Sequence, residues 1–209
     1  MLEGKLLLIL DKLILGIMLA APIGPVSVEM IRRGINKGFM AAFSIRLGGA
    51  IGNFLCLVGA YFGLSQIMKY PVLINSLGLI GAGLLIYMGV TSILKKALDL
   101  DLEDRGNLNN GLTWGFYLAI ANPVSLVFWP GVFAAGLDQS IGITFYGFLE
   151  NLFIIVGVLI WGGGLSLLLG FGHKYLNKKV ITMINRISGV AMIFFGCKYL
   201  WVIGQRLFA

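Results

Sequence analysis

Charged side chains are scarce: 12% of the chain is Asp, Glu, Lys or Arg, against about 25% in soluble domains. With 58% hydrophobic residues in 209, there is too little polar surface for a water-soluble globule, so lipid is the expected solvent. Histidine is limited to His173, which excludes a catalytic diad built on two histidines and a His-rich metal cluster. Cysteine is limited to Cys56 and Cys197, with no C-x-x-C; each lies in an apolar run and reads as a buried, apolar-like thiol. G-x-S-x-G and H-E-x-x-H are missing, which disfavours an intramembrane hydrolase. No catalytic residue, metal ligand set or cofactor is expected.

What the chain has in abundance is apolar length. A helix needs about 20 mostly apolar residues to cross a bilayer, and six segments qualify: 13–31, 38–68, 72–94, 111–137, 141–171 and 181–205. The expected fold is a single all-α transmembrane domain over 1–209. Glycine, at 30 residues, suits close helix packing in lipid. The Gly48-Gly49-x-x-Gly52 and Gly162-Gly163-Gly164 faces leave two arrangements open, within one chain or between copies in a homodimer. The connector 95–110 carries Asp99, Asp101, Glu103 and Asp104 and divides a first half, 1–94, from a second, 111–209. Lys5, the run from Leu6 and Ala20-Ala21 mimic a secretory signal; a matching segment later in the chain argues against that reading.

The basic excess, 16 Lys and Arg against 9 acids, sits between apolar runs with no basic stripe, so nucleic acid is not an expected partner. Ten Lys and Arg, Arg32, Arg33 and Lys37 among them, fall on one side of the predicted spans. Five, Lys5, Lys12, Lys69, Lys198 and Arg206, fall on the other. The positive-inside rule then puts both termini outside the cytoplasm.

The two halves echo each other. Ala21-Pro22-Ile23-Gly24-Pro25-Val26-Ser27 parallels Ala119-Ile120-Ala121-Asn122-Pro123-Val124-Ser125 at an offset of 98. Offsets of 104 and 107 align the second helix with the fifth and the third with the sixth. Three spans per half is odd, so the second half enters the membrane from the opposite face, giving a 3+3 inverted repeat of the kind found in secondary transporters. Pro25 and Pro123 lack the N–H that helix interiors need. Each lies about 12 residues, or about 18 Å, into its predicted span, near mid-membrane. The expectation is two broken helices meeting at a substrate site, with Gly24, Ser27, Asn122 and Ser125 supplying polar groups; two packing kinks are the plainer alternative. Pro22 and Pro130 add irregularity.

Arg46 and Glu150 are ionised groups inside predicted spans, where charge is costly. The offset of 104 makes them equivalent, and they are expected to approach each other, as a structural pair, a substrate contact or, at Glu150, a coupling site. Glu29 precedes Arg32 and Arg33 at helical ion-pair spacing, with a gate role as the alternative. Asn53 reads as an interhelical hydrogen-bond partner or a site residue. His173 is assigned no chemistry. Trp114, Trp161 and Trp201 read as interfacial anchors.

The runs APIGPVSVEMIRRGINKGF, LGGAIGN, GAGLLIYMG and ANPVSLVFW resemble the LysE/RhtB family of amino-acid exporters over essentially the whole chain. The resemblance implies a six-helix inverted repeat in the bacterial cytoplasmic membrane and proton-linked efflux of amino acids or related metabolites. Where the family commonly has G-D and N-P-K, this chain has Gly52-Asn53 and Asn122-Pro123-Val124, so export of basic amino acids does not follow. The alternatives are an ion or metal conduit of the same architecture, disfavoured because the helices hold no ring of acids for a hard cation, a thiol–disulfide electron carrier, and a non-transporting subunit.

Overall fold

A computed structural model describes residues 2–22, 24–67, 70–94, 110–136, 144–172 and 178–208. His173 and nearly all of the acidic connector lie outside the described residues. The described chain is eight helices with no strand: α1 (Leu2–Ala20), α2 (Pro25–Lys37), α3 (Phe39–Ile67), α4 (Pro71–Leu94), α5 (Gly111–Ile120), α6 (Pro123–Gly136), α7 (Phe145–Gly172) and α8 (Lys178–Phe208).

Proline and glycine set the breaks. A proline ring clashes with the carbonyl four residues back but fits the first helical position. Pro25 and Pro123 therefore begin α2 and α6. Gly24 caps α2 with extended backbone, and the Asn122 carbonyl accepts from the Leu126 amide at the head of α6. Gly38, at φ +80°, turns the chain from α2 into α3, a backbone state costly for other residues.

By length and composition, α3, α4, α7 and α8 are each able to cross a membrane. The bent pair α5–α6, at 63°, adds a fifth crossing if it acts as one span. The expected first span is divided between α1 and α2 and is not counted by that measure among the described residues. Starting α1 at Leu2 rather than near Leu13 carries Lys12 into the helix, where it is buried. It leaves the outside connector count without reversing the charge bias. Large apolar side chains such as Met40, Phe62, Val72, Phe194 and Trp201 face outward, as a lipid solvent permits. Cys56 is half-buried, but Cys197 is exposed on α8: its apolar surroundings are the outer face, not the core. Trp161 lies well inside α7, with its ring N–H buried and unpartnered, so it is not an end-of-helix anchor.

The principal packings are α4 on α8, α3 on α5, α1 on α7 and α6 on α4. Glycine allows the close approach. A Cβ on Gly16 would overlap the Ile154 carbonyl, and one on Gly157 the Leu13 carbonyl, so α1 and α7 touch by backbone. In the same way, Gly115 receives the Ile45 carbonyl and Gly48 the Leu112 carbonyl between α5 and α3. Matching residues in these two crossings stand 99 apart (Gly16 and Gly115) and 109 apart (Ile45 and Ile154). Gly89 and Gly189, 100 apart, face each other between α4 and α8, each flanked by the other helix's isoleucine, Ile193 or Ile93. These separations differ from 98, 104 and 107. Gly48, Gly52 and Gly162 are all filled from within the chain.

Candidate functional site

A cavity of about 520 Å³ lies beside the α1–α2 and α5–α6 junctions, within the size range of small-molecule sites. Pro22, Gly24 and Ser27 line it from the α1–α2 junction and the start of α2, Asn122 and Ser125 from the α5–α6 junction and the start of α6. Arg46, Gly49 and Asn53 come from α3, Met88 and Ser92 from α4, Ile154 and Val158 from α7, and Met192 from α8. Six residues singled out from sequence thus share one wall system: Gly24, Ser27, Arg46, Asn53, Asn122 and Ser125. Pro25 and Pro123 contribute by starting the helices beside it.

The walls are mixed. Leu19, Val26, Met88, Phe128, Val158 and Met192 are apolar, and Arg46 is the one charged residue among the described lining residues. Asn53 accepts a hydrogen bond from the Trp129 ring N–H at 3.3 Å, joining α3 to α6 as expected of an interhelical partner. Ser92 donates to the Asn185 carbonyl at 2.8 Å and is buried between α4 and α8. Ser92, Met88 and Trp129 also line the cavity and are not among the residues the sequence singles out. Ser92, with Thr91 one of two adjacent hydroxyls in an apolar run, carries a usable signal, and Met88 and Trp129 fall within the family-like runs GAGLLIYMG and ANPVSLVFW.

Arg46 is 6% exposed. Its side chain lies against Gly162, and a guanidinium N–H donates to the Ser27 hydroxyl at 3.4 Å. Its Nε is buried without a partner, and among the described residues no carboxylate reaches it. The expected approach of Arg46 to Glu150 is not found. Gly162, which touches Arg46, is twelve residues beyond Glu150 on α7, about 18 Å of helix. The separation of 109 makes Ile155, not Glu150, the counterpart of Arg46 in the two crossings.

Glu150 instead lies next to Asn151, the α7 residue that meets Lys12. The buried Lys12 ammonium donates to the Asn151 side-chain oxygen at 3.0 Å and lies 5.9 Å from the centre of the Tyr199 ring. Asp11 pairs with Lys198. These groups join α1, α7 and α8. Glu29 bonds Arg32 at 2.8 Å and Arg33 at 2.6 Å, the helical ion pairs its spacing predicts. Neither Glu29 nor Glu150 lines the cavity.

The LysE type translocator family model matches residues 17–201. This chain belongs to the LysE type translocator family. It is a multi-pass membrane transporter, not an enzyme. Among similar proteins of this LysE-family chain is the "Putative amino acid efflux protein YcgF" of Bacillus subtilis, 30% identical over 194 residues, covering 90% of this chain and 92% of that protein. The "Leucine efflux protein" of Salmonella typhimurium is 26% identical over 186 residues, covering 80% of this chain and 81% of that one. The "Chemotactic transduction protein ChpE" of Pseudomonas aeruginosa is 30% identical over 108 residues, about half of each chain. No solved structure matches. In this LysE type translocator the Asn53 amide oxygen is taken up by Trp129.

Proposed function

We propose that this transporter exports amino acids, holding one at a time in the cavity between the two helix breaks. The observation that carries the reading is the convergence of Ser27 and Asn122, one from each break, on a single cavity that also contains Arg46. An amino acid needs polar partners for two charged ends and an apolar or adaptable wall for its side chain, and these walls offer that mixture. The names of YcgF and the leucine efflux protein agree with it.

The architecture in this reading is six spans in a 3+3 inverted repeat, with α1–α2 and α5–α6 as the broken first and fourth spans. Its support is the reciprocity of the glycine contacts: α1 crosses α7 as α5 crosses α3, and Gly89 faces Gly189. Alternating access follows as one half rocking against the other. The packing is unequal in a way that suits one state of that cycle: α6 lies along α4, while its counterpart α2 has no comparable packing on α8. With both termini outside the cytoplasm, α2 is on the cytoplasmic side, and the cavity opens inward. Coupling to protons falls to Glu150, because Glu29 is held by two arginines. Any homodimer would use faces other than Gly48, Gly52 and Gly162.

The test is efflux from proteoliposomes loaded with single radiolabelled amino acids, with and without an imposed pH gradient. Export of at least one amino acid, accelerated by the gradient, is expected. Flux indistinguishable from protein-free liposomes for every amino acid contradicts the reading.

A further inference from the structure

We infer that Arg46 is the receptor for the carboxylate of the carried molecule, and that this cavity takes substrates with one carboxylate and an apolar side chain while rejecting a second positive charge. The inference rests on the amino-acid reading above and names the contact that reading lacks. Arg46 is buried, lines the cavity and, among the described residues, donates one hydrogen bond, a long one of 3.4 Å to the Ser27 hydroxyl. A guanidinium has five N–H donors; Nε is enclosed against Gly162, so the terminal N–H groups are the ones a ligand in the cavity can meet. An uncompensated buried charge costs several kcal/mol, and a carboxylate that accepts two parallel bonds from a guanidinium offsets that cost.

A second feature points to the same spot. Ser27 is the third residue of α2, and the first backbone bond there runs from the Val28 N–H to the Gly24 carbonyl. The Val26 and Ser27 amides precede that bond and lie at the positive end of the helix, a place that favours anions. Arg46 is held at that end by Ser27 itself. The guanidinium and the helix end therefore address one anion.

The rest of the cavity limits what that anion is attached to. No carboxylate is among the described lining residues, so a lysine-like side chain would bring a second cation into a cavity that already holds Arg46. The substrate ammonium has neutral oxygens to meet at Asn122 and Ser125, and an aliphatic side chain has Leu19, Met88 and Val158.

The experiment is calorimetric binding to the purified full chain in detergent with four probes: leucine, 4-methylpentanoate, isoamylamine and lysine. Leucine and 4-methylpentanoate are expected to bind, with isoamylamine and lysine weaker than leucine by about tenfold or more, the worth of a charge-assisted hydrogen bond. Arg46→Gln should erase the preference for the carboxylate, and Arg46→Lys, which keeps the charge without the fork, should retain part of it. The probe series on the unaltered protein decides the matter even if a variant fails to fold. Isoamylamine binding as tightly as leucine, or undiminished discrimination in a folded Arg46→Gln protein, overturns the inference and leaves the transport reading standing. Binding of 4-methylpentanoate through Arg46 without binding of leucine supports the carboxylate receptor and removes the amino-acid reading. No binding of any probe overturns both.

Discussion

Gly89 of α4 and Gly189 of α8 fill each other's missing side chains: a Cβ on either would come within 2.6 Å of the other's carbonyl oxygen. The two helices are in backbone contact there, and Ile93 and Ile193 close the flanks. Gly89→Val or Gly189→Val should separate α4 from α8 and lower stability by about 1–3 kcal/mol, the usual cost of overpacking. Gly83→Ala, on the same helix with open space around it, is the control. Thermal unfolding in detergent checks this; equal melting temperatures for Gly89→Val and Gly83→Ala would contradict the packing.

The Asn53–Trp129 bond ties α3 to α6 across the cavity wall. Asn53→Ala and Trp129→Phe should each remove it, and their combination should cost less than the two separate losses added together. The expected coupling is about 1 kcal/mol, read from a double-mutant cycle on unfolding. Strict additivity would show that the contact carries no energy.

Lys12 illustrates the asymmetry of buried charges. Its ammonium is bonded to a neutral amide, Asn151, rather than paired at ion-pair distance. Asn151→Leu should leave that ammonium unsatisfied and cost about 1–3 kcal/mol. Lys12→Met, which removes the charge altogether, should be close to neutral or stabilising. Melting temperatures of the two variants decide it, and a larger loss in Lys12→Met would contradict the argument.

The parts of this molecule legible in sequence are those governed by local chemistry. Pro25 and Pro123 begin helices because their rings permit little else, Glu29 pairs with Arg32 and Arg33 because helical spacing puts them together, and Asn53 finds a partner because an amide in lipid must. The register between the halves was not legible. Apolar helices rich in Gly, Leu and Ile match one another at many offsets, so the alignment that paired Arg46 with Glu150 was one of several. Gly48 and Gly157, which each meet an opposing carbonyl, stand 109 apart rather than 104. Lys12 misled for a related reason: a charge ahead of an apolar run reads as the end of a span, whereas Asn151 on a distant helix gives it a partner inside.

The central claim is that the carried amino acid occupies the cavity between the breaks, and Ser125 tests it most directly. In a protein with Cys56→Ala and Cys197→Ala, Ser125→Cys places one thiol on the cavity wall, and its rate of modification by a small maleimide reports access. The account predicts that a transported amino acid slows that modification in a saturable way, with half-protection at the concentration that half-saturates transport. A modification rate unchanged at saturating substrate would contradict it.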